Sequence, residues 1–465
     1  MSAPIESLRR SVELETIQEL SDVSFMNAVA AIFINEIECL KRVTWASERG
    51  DNQSPVQGTL VKGASDKVII LVDLTPSKFL FDEDYPDVNR TLTNILAVKW
   101  VLANDYAAFT QSHQEPVKLS RDTFDKLRTM TLDILKTPDH TIALIVSLIL
   151  GDMGKDNKLI ADLMQAELGG TIEDWSAFRE LAKKYKAMTH DKSFIWRSPM
   201  AYVLAGMKLD ADLNIPQLIQ GESVALCLKS LFMLSGKPQA YALKYLETLF
   251  DVASASGHID ARGSISMTEP VCQSFLIAYP ILQRIVEKGR STGVDCLSDA
   301  YNAVLRHRSQ ILTDLGSEKR FRMEQPSDRA FLHLCAMGRV TSTTRAAIFL
   351  QAFNNLPEST RRHLIAALNV DGLGSQVPAV LSYIPALFAE VLRFAPGEPL
   401  KQVKAINSLM AFMSRMYQGN SAEDIPEGRY QQLDLRVVLI LVQSKPDTDP
   451  SVMLDDARLL RSCPN

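Results

Sequence analysis

A compact, mainly helical fold with one small β element is what three features of this sequence predict. Apolar residues recur at three- and four-residue intervals over most of the chain, the polar stretches between them are short, and only two segments have the β-branched composition of strands. Hydrophobic residues make up 46% and charged residues 23% of the 465 positions, enough to bury a large interior and too balanced for a disordered chain. Together they predict one large multi-helix unit over 1–465. The alternative is a subdivision into 1–115, with N-terminal helices and a hairpin, and a helical body over 116–465.

In chain order, Ile17, Leu20, Phe25, Val29, Phe33 and Ile37 fall along one amphipathic surface, with Ser21 or Ser24 placed to cap a break in it. In VQGTLVKGASDKVIILVDLTP, two β-rich runs flank Gly63-Ala64-Ser65-Asp66, which predicts a hairpin near 56–75. Helices are then expected over Asn89–Phe109, Arg121–Leu135, Ile142–Gly151, Gln217–Leu234, Gln239–Ala255, Glu269–Lys288, Ser298–Leu315, Pro378–Phe394 and Leu400–Met416. The second β-branched run, LRVVLILVQSKPD from Leu435, reads either as a strand pairing with the hairpin or as a buried helix. DNQSPVQG, GSEKRFRMEQPSD and YQGNSAEDIPEGRY read as loops, and no motif recurs at the spacing of a helical solenoid.

A net charge of −5 gives no whole-protein attraction for polyanions, so a nucleic acid would need a local basic patch. The six cysteines (Cys39, Cys227, Cys272, Cys296, Cys335 and Cys463) form no CxxC pair, which points to reduced intracellular thiols. The N-terminal MSAPIESLRR lacks the apolar core of a signal peptide. The longest apolar run, Ile142–Leu150, is shorter than the roughly 20 residues a bilayer requires. The expected location is the cytoplasm, with no membrane partner.

The stretch LILGDMGKDNKL, Leu148–Leu159, resembles the place where an apolar helix ends in His-Asp in metal-dependent phosphohydrolases of the HD type, with Gly151 in the position of the histidine. Hard divalent metals take mixed imidazole and carboxylate ligands. The chain offers His113 or His140 upstream, Asp152 at the doublet, His190 and Asp191 downstream, and His258 with Asp260 farther on. A hydrolase or oxygenase reading would use His140, Asp152, His190 and Asp191. The competing explanation is that Gly151 caps a helix ending at Leu150 and Asp152 begins the next turn. Neither GDMGKDNK nor DGLGSQ has the spacing of a phosphate-binding loop.

FLFDEDYPDVNR brings Asp82, Glu83, Asp84 and Asp87 into one turn-like segment in which Pro86 restricts the backbone. Such carboxylates cap the helix that follows, or they recognise a cation, pairing with a guanidinium or taking a proton from an ammonium. A magnesium-dependent terpene cyclase would need a second metal-binding motif, and none is evident.

Glu83-Asp84-Tyr85-Pro86-Asp87 resembles the DDxxE motif of fungal arginine-containing cyclodipeptide synthases, with Glu for the first Asp and Asp for the final Glu. The chain length and the motif-poor helical sequence are also similar. The resemblance implies two aminoacyl-tRNA substrates, one of them arginyl-tRNA, whose activated esters make ATP and any other cofactor unnecessary. It implies Glu83, Asp84 and Asp87 as catalytic groups. Asp82 would bind substrate, together with His258, Asp260 and Arg262 from the polar tract SGHIDARGSISMTEP. That tract also reads as a plain helix connection with Thr268 as an N-cap.

Transfer RNA phosphates would meet Lys183, Lys184 and Lys186, or Arg320 and Arg322, with Arg306-His307-Arg308 and Arg361-Arg362-His363 as further basic groups. No GxSxG elbow or Cys-His motif marks a covalent nucleophile. THDKSFIWRSP, Thr189–Pro199, is a second polar connection. A helical interaction scaffold is the third class of function compatible with these features.

Overall fold

A computed structural model describes residues 3–43, 60–61, 73–153, 156, 206, 209, 213–291, 293–314, 320–419, 429–445 and 448–455. The elements in order are α1 (Ala3–Ser11), α2 (Leu14–Glu19), α3 (Asp22–Leu40), β1 (Leu60–Val61), β2 (Asp73–Leu74), α4 (Pro76–Phe81), α5 (Pro86–Leu102), α6 (Tyr106–Phe109), α7 (Arg121–Ile134) and α8 (Pro138–Met153). Then follow α9 (Ile215–Ile219), a 3-10 segment (Ala225–Leu234), α10 (Pro238–Ala253), α11 (Glu269–Lys288), α12 (Val294–Asp314), α13 (Pro326–Met337), α14 (Thr343–Asn354) and α15 (Glu358–Leu368). The chain closes with β3 (Ala379–Ser382), α16 (Ile384–Arg393), α17 (Pro399–Gly419), β4 (Gln431–Asp434), α18 (Arg436–Gln443) and α19 (Pro450–Leu454). The mainly helical class is as expected. The chain divides into a first unit, 1–211 with 236–279, and a second, 212–235 with 280–465.

The first unit is organised around α5, which packs against α3, α4, α7, α8 and α10. Pro86 starts it at the first helical position, where a missing N–H costs nothing. Ile95, Leu96, Trp100 and Val101 are fully buried, each worth about 1.5–3 kcal/mol in apolar burial. At its far end Asp22 of α3 accepts from Trp100 Nε1 at 3.0 Å and pairs with Lys99 Nζ at 2.7 Å. The helix stops short of the expected Phe109 because Asn104 turns left-handed (φ 60°) and Asp105 restarts the chain as α6, its side chain accepting from Ala108 N–H.

Ser21 caps α3 by accepting from Ser24 N–H at 3.1 Å. Although α3 is long and apolar enough to cross a bilayer, its Phe25, Val29 and Ile37 are fully buried in the unit, as in a core helix. The β1 and β2 strands pair antiparallel, with Leu60 opposite Leu74 and Val61 opposite Asp73, where the hairpin was expected. The Gly63–Asp66 connection lies outside the described residues.

In the second unit α17 packs against α14, α15, α16 and α19. Two expectations are corrected here, and one left open between strand and helix is decided. The helix foreseen over Gln217–Leu234 is α9 followed by a 3-10 segment, because Gly221 (φ 79°) breaks the chain between them. The one foreseen over Pro378–Phe394 is β3 followed by α16, divided by Tyr383 at φ 70°. In the C-terminal β-branched run, Val438, Leu439 and Val442 are buried at three- and four-residue spacing, so it is the helix α18. The strand is the preceding Gln431–Asp434, and it pairs parallel with β3, not with the hairpin.

Candidate functional site

The acidic box is the turn between α4 and α5. Thr75 caps α4 by accepting from Lys78 N–H at 3.2 Å, and its hydroxyl bonds to Asp84 Oδ1. Asn89, one turn into α5, donates to the same Asp84 oxygen at 3.1 Å and accepts from Ser77 N–H at 2.9 Å, while Ser77 Oγ accepts from Tyr85 N–H at 2.8 Å. Neutral hydrogen bonds therefore hold the backbone of the turn from within. Asp82 ends α4 in the left-handed region at φ 63°. The Tyr85 hydroxyl donates to Glu83 Oε2 at 2.7 Å, which pushes the phenol up from its ordinary pKa.

The four carboxylates separate in role. Asp82, Glu83 and Asp84 are exposed, and among the described residues no Lys or Arg pairs with them. Asp87 is fully buried in the first turn of α5, where the helix dipole favours a negative charge. Its expected catalytic role is revised on that ground. Asp87 is a positioning residue in the first turn of α5, because its side chain is wholly buried.

The next two turns of α5 are polar where a core helix is ordinarily apolar: Asn89, Thr91, Thr93 and Asn94 are all fully buried. Arg90 donates to both oxygens of Asp251 on α10, at 2.9 and 3.0 Å, and Asn94 adds a bond at 3.2 Å. The polar tract after α10 docks on this face. A Cβ at Gly257 would lie 3.1 Å from Arg90 Cα and 3.0 Å from Ser254 O, both backbone atoms, so a side chain there would push the tract off this face by a few tenths of an ångström. Gly257→Ala is expected to destabilise the protein by about 1–3 kcal/mol through overpacking, as read from a chemical denaturation curve.

Within the tract, Arg262 wraps Asp260 with bonds at 2.9, 3.0 and 2.8 Å, so these two expected substrate contacts spend their charge on each other. His258 is partly buried beside them. His113 accepts from Leu119 N–H at Nδ1 (3.2 Å), so Nε2 carries the proton and donates to Ser264 O at 2.8 Å. Burial lowers its pKa, and a neutral histidine clamped on both nitrogens is a structural strut. Thr93 Oγ1, Asn94 Oδ1, Ser254 Oγ and Ser264 Oγ are buried without a hydrogen-bond partner, unusual for a plain helix junction.

The metal reading fares differently. Gly151 lies inside α8, not at a cap after Leu150, and a Cβ there would stand 3.3 Å from Glu247 Oε1 of α10. Glu247 forms a buried ion pair with Lys244. His140, bonded to Thr137 Oγ1 at 3.0 Å, sits in the first turn of the helix that ends beyond Asp152. Positions 140 and 152 are about 18 Å apart along a helix axis, too far to ligate one ion. Among the described residues no three His, Cys, Asp or Glu side chains group as a metal site.

His190, Asp191, Lys183, Lys184 and Lys186 lie outside the described residues, as does THDKSFIWRSP. Arg320 and Arg322 are exposed in the second unit, where the Arg322 amide donates to Asp328 at 3.1 Å.

Sequence reasoning missed a second polar centre, wholly within the second unit. His333 of α13 lies 2.6 Å from Gly221 O and 3.0 Å from the Tyr301 hydroxyl through Nε2, and its Nδ1 is 3.4 Å from Leu368 O. Tyr301 donates to Ser223 O at 2.6 Å. Burial, reinforced by the Arg329 charge, lowers the His333 pKa to about 4. Glu222 is 8% exposed and its Oε1 has no hydrogen-bond partner. Burial raises its pKa to about 7, against the pull of the Tyr383 and Ile384 amides and of Arg339. Both side chains line a cavity of about 20 Å³. The contributing segments lie far apart in the chain, and none has a recognisable motif.

A protein family of unknown function, DUF6829, matches residues 26–453. The chain belongs to that family. The DUF6829 match runs from within α3 to α19 and so includes the acidic box, the polar tract and the Glu222–His333 centre. No curated protein and no solved structure matches the chain.

Proposed function

We propose that the first unit carries an acyl-transfer site that joins two aminoacyl groups delivered on tRNA, one of them arginyl, into a cyclic dipeptide. The observation that supports this reading is the set of exposed carboxylates on the α4–α5 turn, Asp82, Glu83 and Asp84, with no cationic partner among the described residues. Neutral donors from Thr75 and Asn89 orient Asp84 without cancelling its charge. A turn of this kind offers a guanidinium paired, charge-assisted hydrogen bonds. It also offers an α-ammonium a carboxylate to take its proton. The resemblance of Glu83–Asp87 to the cyclodipeptide-synthase motif supplies the reaction class.

In that reaction the freed α-amine of one aminoacyl group attacks the ester carbonyl of the other. A C–N bond forms, the ester C–O bond breaks, and the first tRNA leaves with its terminal hydroxyl restored. The remaining amine then attacks the remaining ester, which closes the ring and releases the second tRNA. Glu83 and Asp84 are the acid–base pair, Asp82 assists in holding the cationic side chain, and Asp87 fixes the helix beneath them. The basic clusters at Lys183, Lys184 and Lys186 and at Arg320 and Arg322 are the proposed phosphate contacts, and such an enzyme works in the cytosol, where charged tRNA is made.

The test is mass spectrometry of cells producing the protein, searching for arginine-containing diketopiperazines. Glu83→Gln and Asp84→Asn are each expected to cut product on the order of 100-fold, the loss typical of an acid–base group, with circular dichroism unchanged. Soluble, folded wild-type protein that yields no such product, with arginyl-tRNA supplied in vitro as well, would overturn the reading.

A further inference from the structure

We infer that the cavity lined by Glu222, His333 of α13 and β3 in the second unit is a binding site for the head of a small organic ammonium ion. The argument begins with what the walls offer. Glu222 lines the cavity; its carboxylate accepts from the Tyr383 and Ile384 amides and keeps one buried oxygen, Oε1, without a hydrogen-bond partner. His333 also lines it, but Nε2 is engaged with Gly221 O and the Tyr301 hydroxyl, and Nδ1 faces another carbonyl, Leu368 O. Ser223 and Tyr417 add hydroxyl groups, while Val224, Met337 and Leu381 give apolar wall. The feature left unsatisfied is thus an acceptor, and its complement is a donor.

Charge decides what kind of donor. A buried carboxylate held by two backbone amides, with one oxygen left unpaired, stays costly unless it is protonated or meets a cation. The cations nearest this centre are committed elsewhere: Arg339 Nη2 donates to Gln220 Oε1 at 2.7 Å, and Arg329 donates to Asn302 and to Leu368 O. Arg339 acts on Glu222 only as a neighbouring charge. Size sets the rest. A volume of about 20 Å³ holds little more than one water-sized group, which favours an –NH3⁺ on a short stem over a guanidinium or a quaternary ammonium. This site is independent of the acidic box and of the reaction assigned to it.

The test uses the full-length protein and methylammonium chloride as the probe, with sodium chloride at equal ionic strength and tetramethylammonium chloride as controls. Calorimetric titration at pH 8 is expected to show saturable, one-site binding of methylammonium alone. Glu222→Gln, which keeps the shape and removes the charge, is expected to abolish it. A second readout does not depend on the variant. Because Glu222 ionises at about 7, affinity should rise about tenfold from pH 6 to pH 8 by simple titration of one carboxyl.

The other groups around the cavity do not titrate in that interval. His333 is held neutral by a pKa near 4, Tyr301 and Tyr417 are raised above their ordinary values by burial, and the Arg339 guanidinium keeps its charge. The probe also remains protonated, as any alkylamine does well below the lysine range. Absence of saturable binding to the wild type, equal binding of tetramethylammonium, equal binding to Glu222→Gln, or affinity that does not change with pH would each overturn the assignment.

Discussion

Glu222→Gln is expected to stabilise the protein at pH 8 by about 3 kcal/mol and to change little at pH 4. The sign follows from linkage. The carboxyl ionises near 4.5 when the chain is unfolded and near 7 when it is buried in the second unit. Between those values the folded state holds a proton that the unfolded state has released, so stability falls as pH rises, and above 7 the whole penalty is present. A shift of this size corresponds to about 3 kcal/mol at 1.36 kcal/mol per unit. Glutamine is neutral throughout and escapes the penalty. Urea denaturation at pH 4, 5.5, 7 and 8 measures the effect, and a variant no more stable than wild type at pH 8 would show that Glu222 is not held in a desolvated site.

The second large effect has the opposite slope. His333 titrates near 6.5 in the unfolded chain and near 4 in the fold, because the charged imidazolium would be buried beside Arg329. As pH falls from 6.5 towards 4, the unfolded state takes up a proton that the folded state refuses, and about 3 kcal/mol of stability is lost. His333→Gln removes that loss. It also gives up the imidazole's contacts with Gly221 O and the Tyr301 hydroxyl, so the variant should be weaker than wild type at pH 7 and recover relative to it at pH 4. In the wild type the two groups offset each other between about 4.5 and 6.5, and their combined contribution is nearly flat there. Each single substitution unmasks the slope of the residue left behind, and the same denaturation series reads both.

Which parts of the molecule could be read from sequence depended on how local their causes are. The helices at Arg121–Ile134 and Glu269–Lys288 were placed within one residue because their periodicity agrees with their boundaries, Ser120 accepting from Thr123 N–H at 3.2 Å to cap the first. The breaks at Asn104 and Tyr383 were missed because a positive φ at a residue other than glycine is imposed by packing and leaves little trace in composition. In the C-terminal run, β-branched content suggested a strand, but the three-and-four spacing of Val438, Leu439 and Val442 decided for helix. The acidic box was visible because its four carboxylates are adjacent. Its division into three exposed groups and one buried one was not, since that depends on Ser77 and Asn89 closing the turn. Glu222, Tyr301 and His333 meet only after folding, and no spacing rule could have joined them.

Gly151 looks, in a line of letters, like a ligand that has gone missing. In three dimensions it is an exposed position on α8 whose nearest neighbour is the carboxylate of Glu247, the ion-pair partner of Lys244. Writing His back at 151 would therefore not recover a metal centre: the ring would stand beside a carboxylate already held by Lys244, with positions 140 and 152 still about 18 Å apart along the helix. Among the described residues no group of three ligands is assembled for a metal, and a single imidazole does not assemble one.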